Sequence, residues 1–142
     1  MFRLFRRNNP SRQDQALGSL DAAAEQFRQA AEQLAAADAC LFWDLAAAVD
    51  RLRRHIAENP AHLNPLRRLW VFFIPHSAEK ALAWATMASR DPLAEPDRSA
   101  LGYFEAFLAL LAEADQACLR RSYDALEASA AALESQLQQV RL

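Results

Sequence analysis

Apolar residues recur at three- and four-residue steps along most of this chain, and the pattern predicts helices almost throughout. The first stripe runs from Leu17, Leu20, Ala24 and Phe27 to Leu45, Ala48, Leu52 and Ile56, the spacing of one buried helix face. Unbroken from about 19 to 58, such a helix extends roughly 60 Å at 1.5 Å per residue. Ser19 or Asp21 is placed to cap its start. Asn59-Pro60 should end it, because a residue before proline avoids the helical region.

Asn64-Pro65 reads as a second helix start, with asparagine as cap and proline at the first helical position. Leu66, Leu69, Trp70 and Phe73 then share a face, and Pro75 falls inside the run. A proline there removes a helical hydrogen bond and clashes with the preceding turn, at a cost of about 3 kcal/mol in a regular interior. The helix must bend at Pro75 or stop and restart. Ala78, Ala81, Leu82 and Ala85 resume the pattern, which fails around Asp91-Pro92 and Glu95-Pro96-Asp97, a predicted loop. Asp97 or Ser99 can cap a third long helix. Its stripe passes through Leu101, Phe104, Leu108 and Leu111, shifts register near Asp115, and continues through Leu119, Tyr123, Leu126 and Leu133.

The expected fold is all-α: an elongated antiparallel helical bundle of two long helices and a shorter helix bent at Pro75. Residues 1–15 read as a flexible basic arm and 16–142 as a single bundle domain. The short middle helix cannot cover both long partners, so apolar surface is left for coiled-coil-like self-association or another protein.

Composition supports this picture. The chain has only two glycines among 142 residues and is 53% hydrophobic, with alanine commonest and β-branched residues scarce, which favours helix over sheet. Arg3, Arg6, Arg7 and Arg12 put the positive charge in the first twelve residues. The remainder carries twelve basic and eighteen acidic side chains. An acidic body argues against nucleic-acid binding. The arm, with Phe2, Leu4 and Phe5 among arginines, suits weak contact with an anionic membrane. With no apolar spanning run and no secretory signal pattern, the expectation is a cytoplasmic protein, peripheral at most to the inner face of the membrane.

Candidate chemistry is sparse. No cofactor is called for. Asp38 on the first stripe and Asp115 at the register shift are the metal candidates, since carboxylates on facing helices can hold an ion. His76 and Ser77 follow Pro75, where free helix-start amides favour an anion, and Arg68 adds charge; these three are the catalytic candidates. His55 reads as a cation at a helix end, His62 as a linker residue, and Cys40 and Cys118 as buried free thiols. Phe2, Phe5, Trp70, Phe72 and Phe73 are the candidate contact residues for a partner.

The segment Arg68-Leu69-Trp70-Val71-Phe72-Phe73-Ile74-Pro75-His76-Ser77-Ala78-Glu79-Lys80-Ala81-Leu82 resembles the XpaC-like family, named for 5-bromo-4-chloroindolyl phosphate hydrolysis. In the resemblance, Phe72 and Phe73 stand at paired tyrosine positions, Pro75 at a proline, and His76 and Ser77 at two threonines. It implies a helical fold and a link to phosphate esters, without supplying catalytic residues. The leading expectation is a helical interaction or scaffold protein. A phosphate-ester hydrolase or its regulator, and a small-molecule or metal-binding bundle, are the alternatives.

Overall fold

The computed structural model describes residues 11–90 and 98–139, and every element within them is helical. Five α-helices appear: α1 Arg12–Gln33, α2 Ala36–Glu58, α3 Ile74–Arg90, α4 Arg98–Arg120 and α5 Asp124–Gln139. A 3-10 turn, Pro60–His62, and a π-helical turn, Leu69–Phe73, lie between α2 and α3. Residues 1–10, which hold Phe2 and Phe5, lie outside the described residues, as does the loop expected over 91–97.

The first long helix is two helices. Leu34 and Ala35 are both extended, with ψ of 158° and 153°, and α1 folds back along α2. Neither glycine nor proline marks this break. Doubling back lets the alanine-rich faces of the two helices cover each other, burying Ala23, Ala24, Ala30, Ala46 and Ala48, which one straight helix could not do. The start also differs from expectation. Ser11 caps α1 by accepting the Asp14 N–H at 3.1 Å, so helix begins inside the segment read as an arm. Ser19 instead donates to the Trp70 carbonyl, and Asp21 faces Arg53 of α2.

The end of α2 is where the sequence places it, at Glu58. Asn59 is extended and its side chain accepts the Ala61 N–H at 3.0 Å. At Pro75 the helix neither stops nor restarts. Leu69–Phe73 widens into a π turn in which the Ile74 N–H reaches the Leu69 carbonyl, five residues back. The wider turn takes up the proline without ending the helix.

The third helix, expected to be continuous with a register shift near Asp115, divides at residues 121–123. Arg121 adopts a left-handed φ of 53°, and the Ser122 N–H bonds the Ala117 carbonyl at 3.1 Å. That is a Schellman termination carried by a non-glycine residue. Ser99 lies within the first turn of α4.

Helix α1 lies between α2 and α3, α2 also packs on α4, and α5 rests against α4. Phe27, Phe42, Phe73, Tyr103, Phe104 and Phe107 are fully buried in the centre. Phe42 meets Phe104 edge-to-face at 5.2 Å and stacks on Trp84 at 5.9 Å, geometries that add to simple burial. Among the described residues no helix is long and apolar enough to cross a membrane.

Candidate metal centre

Three chain segments converge where α2 and α4 end. The buried stripe of α2, Leu45, Val49, Leu52 and Ile56, faces the core and leaves His55 on its flank in the last turn. The Asn59 cap then stops the helix, and the 3-10 turn carries His62 inward, where it is 8% exposed. Leu63 and Leu66 anchor that turn in the core, and the Trp70 indole N–H holds the Leu63 carbonyl at 2.9 Å. From the other side, the stripe of α4 ends with Ala114, Ala117 and Cys118 buried. The Schellman turn at Arg121 brings the chain back so that Tyr123 lies over the same spot.

His55, His62 and Cys118 each offer a ligand atom, and these atoms all lie within 4.8 Å of one another. The imidazole rings are 5.8 Å apart, centroid to centroid, and inclined at 71°. Each histidine has one nitrogen engaged. His55 donates its Nε2–H to Asp115 Oδ1 at 2.6 Å, which leaves Nδ1 as its free donor atom. His62 Nδ1 hydrogen-bonds the Tyr123 hydroxyl, which leaves Nε2. The Tyr123 side chain is also hydrogen-bonded to Cys118. The tautomer in which His62 Nδ1–H donates to the phenol oxygen is the one that leaves Nε2 able to bind an ion. Metal-binding histidines are commonly oriented in this way, by a carboxylate or other acceptor on the ring nitrogen that does not bind the ion.

Burial sets the protonation of the cluster. It lowers the His62 pKa below the ordinary 6.5, with His55 and then Arg121 adding to the fall electrostatically, so His62 is a neutral imidazole near pH 7. Burial also pushes the Cys118 thiol up to about 11; the Tyr123 hydrogen bond opposes that rise and the Asp115 charge adds to it. Tyr123 is pushed up to about 12, by burial first and then by Cys118. A neutral imidazole and a protonated thiol make a poor nucleophilic pair, because the thiolate is the reactive form. They are of the types that could hold a metal ion, provided the ion displaces the thiol proton.

Of the residues singled out in the sequence, Asp115 belongs to this cluster. Asp38 does not: it lies in the first turn of α2, at the opposite end from His55 and roughly 25 Å away along the helix at 1.5 Å per residue. The proposed pairing of Asp38 with Asp115 is therefore replaced by His55 with Asp115. The three catalytic candidates are not brought together. Ser77 is fully buried and shares a 2.6 Å hydrogen bond with Tyr103. His76 stacks on Phe72 at 5.4 Å. Arg68 pairs with Glu127 and Glu134 of α5 and lies over the Phe73 ring.

Of the contact candidates, Trp70 and Phe73 are core residues, and Phe72 is 41% exposed beside Val71. Cys40 is exposed, contrary to expectation, and Cys118 is buried as expected.

The sequence pattern gave His55, His62, Cys118 and Tyr123 structural roles only. The seven-residue spacing of the histidines around Asn59-Pro60 was visible, but it gains meaning only once α4 is known to end against that turn. No family model, curated protein or solved structure matches the chain.

Proposed function

We propose that this protein is a transition-metal-binding helical bundle, with His55, His62 and Cys118 as ligands. The observation that carries the reading is the convergence of two imidazoles and a thiol, from three separate segments, within 4.8 Å. Two nitrogens with one sulfur suit a borderline or soft ion such as Zn2+, rather than Mg2+ or Ca2+, which take oxygen ligands. Asp115 and Tyr123 orient the two rings. The ion ties the α2–α3 connection to the end of α4, so its binding is coupled to stability.

Calorimetric titration with Zn2+ tests this reading. One equivalent should bind to the wild-type protein and none to a His55→Ala/His62→Ala/Cys118→Ser variant. At free Zn2+ a hundredfold above Kd, the wild-type fold should gain about 2.7 kcal/mol. Absence of binding to the wild type defeats the reading.

A second reading, a protein–protein contact role, draws support from Val71 and Phe72. They are 48% and 41% exposed and border a cavity of about 430 Å³ shared with Arg67, Arg68 and Glu127. The phosphate-ester chemistry implied by the XpaC-like resemblance has less support, because Ser77 is enclosed and bonded to Tyr103.

A further inference from the structure

Three protein ligands leave a tetrahedral ion one position short, the arrangement of sites that take up an outside molecule. Two neighbouring side chains, Asp115 and Tyr123, are hydrogen-bonded to the cluster. Asp115 accepts the Nε2–H of His55, and the Tyr123 hydroxyl is bonded to both His62 and Cys118. Among the described residues, His55, His62 and Cys118 alone make up the ligand group, which leaves the fourth position open to an outside molecule.

A cavity of about 220 Å³ adjoins the cluster, lined by Arg51, Arg54, His55, Glu58 and Asp115. His55 and Asp115 belong to both cavity and cluster, so the two are contiguous. Arg51 and Arg54 lie one turn apart on α2, are exposed, and have no carboxylate within ion-pair distance among the described residues. Against them stand Glu58 and Asp115, the latter facing the His55 N–H. A divalent ion with one thiolate adds one net positive charge. The assembly of ion, thiolate, two arginines and two carboxylates is therefore cationic by one unit.

We propose that a small oxyanion, phosphate- or carboxylate-bearing, binds in this cavity through Arg51 and Arg54 and completes the coordination of the metal. Guanidinium groups match oxyanions in both charge and geometry, and a bound cation is the largest local charge in such a site. This inference rests on the metal-binding reading.

The test uses the Co2+-loaded full-length protein, in slight protein excess, whose visible bands report coordination. Inorganic phosphate and acetate are titrated separately, on the wild type and on an Arg51→Ala/Arg54→Ala variant. Both arginines are exposed, so the variant keeps its core. At least one anion should shift the cobalt bands saturably, with half-saturation about tenfold weaker in the variant; which anion acts distinguishes phosphate from carboxylate recognition. Cobalt bands that ignore both anions, or that respond equally in both proteins, overturn this inference and leave the metal reading standing. Absence of protein-bound cobalt bands in the wild type overturns both.

Discussion

His55 and Asp115 lie sixty positions apart in the chain, and their side chains meet at 2.6 Å, Nε2 to Oδ1, where α2 and α4 end. That contact fixes one imidazole and turns its other nitrogen free. Tyr123 does the same for His62 while also bonding Cys118. The centre is thus two oriented rings and one enclosed thiol, held by the ends of helices whose lengths are set elsewhere in the fold.

Metal affinity should climb with pH. Cys118 holds its proton up to about 11, so an entering ion must displace it. Affinity for Zn2+ is expected to rise about tenfold per pH unit between pH 7 and 9, with one proton released. Competition titrations against a chelator of known affinity measure the slope, and a flat profile would remove the thiolate from the ligand set.

The metal-free protein should be most stable between about pH 6.5 and 9. Below 6.5 the unfolded chain protonates His62 while the fold, with its lowered pKa, resists; stability therefore drops as pH falls, then levels below the folded value. On the alkaline side the unfolded chain sheds the Cys118 and Tyr123 protons from their ordinary 9 and 10, while the fold keeps them to about 11 and 12. Stability is lost across that range as pH rises. Urea midpoints against pH, in the presence of a chelator, should trace this plateau.

Ser77 and Tyr103 form a buried polar pair. Tyr103→Phe leaves the Ser77 hydroxyl enclosed with its partner gone, and should cost about 1–3 kcal/mol. Adding Ser77→Ala to Tyr103→Phe should recover part of the loss, because the stranded group is removed as well. Denaturant unfolding of the two single variants and the double variant measures this coupling.

Arg121 holds a left-handed φ of 53°, which costs a side chain about 1–2 kcal/mol. Arg121→Gly should relieve most of that and raise the unfolding midpoint, while preserving the turn that presents Tyr123. A fall in the midpoint would mean that the arginine side chain contributes more than its backbone costs.

Much of the fold was legible because its cause is local. Alanine content, periodicity and the Asn59-Pro60 stop each act within a few residues. The breaks at Leu34 and Arg121 were not, since neither has a glycine or proline and both stripes continue across them. They exist because antiparallel packing buries more than a straight helix can. Pro75 was read as a point where the helix bends or stops; the chain instead runs on through a π turn, whose Leu69, Trp70 and Phe73 are buried in the core. The centre draws on the second of these breaks, at Arg121, which brings Tyr123 to His62. Asp115 stood out because the stripe shifts there, whereas His55, His62 and Cys118 carry no local mark of their shared location.

The most direct measurement is X-ray absorption at the zinc edge on protein loaded with one equivalent of Zn2+. The account predicts one sulfur at about 2.3 Å and two imidazole nitrogens at about 2.0–2.1 Å, with the sulfur lost in Cys118→Ser. A first shell of nitrogen and oxygen alone in the wild-type protein would contradict it.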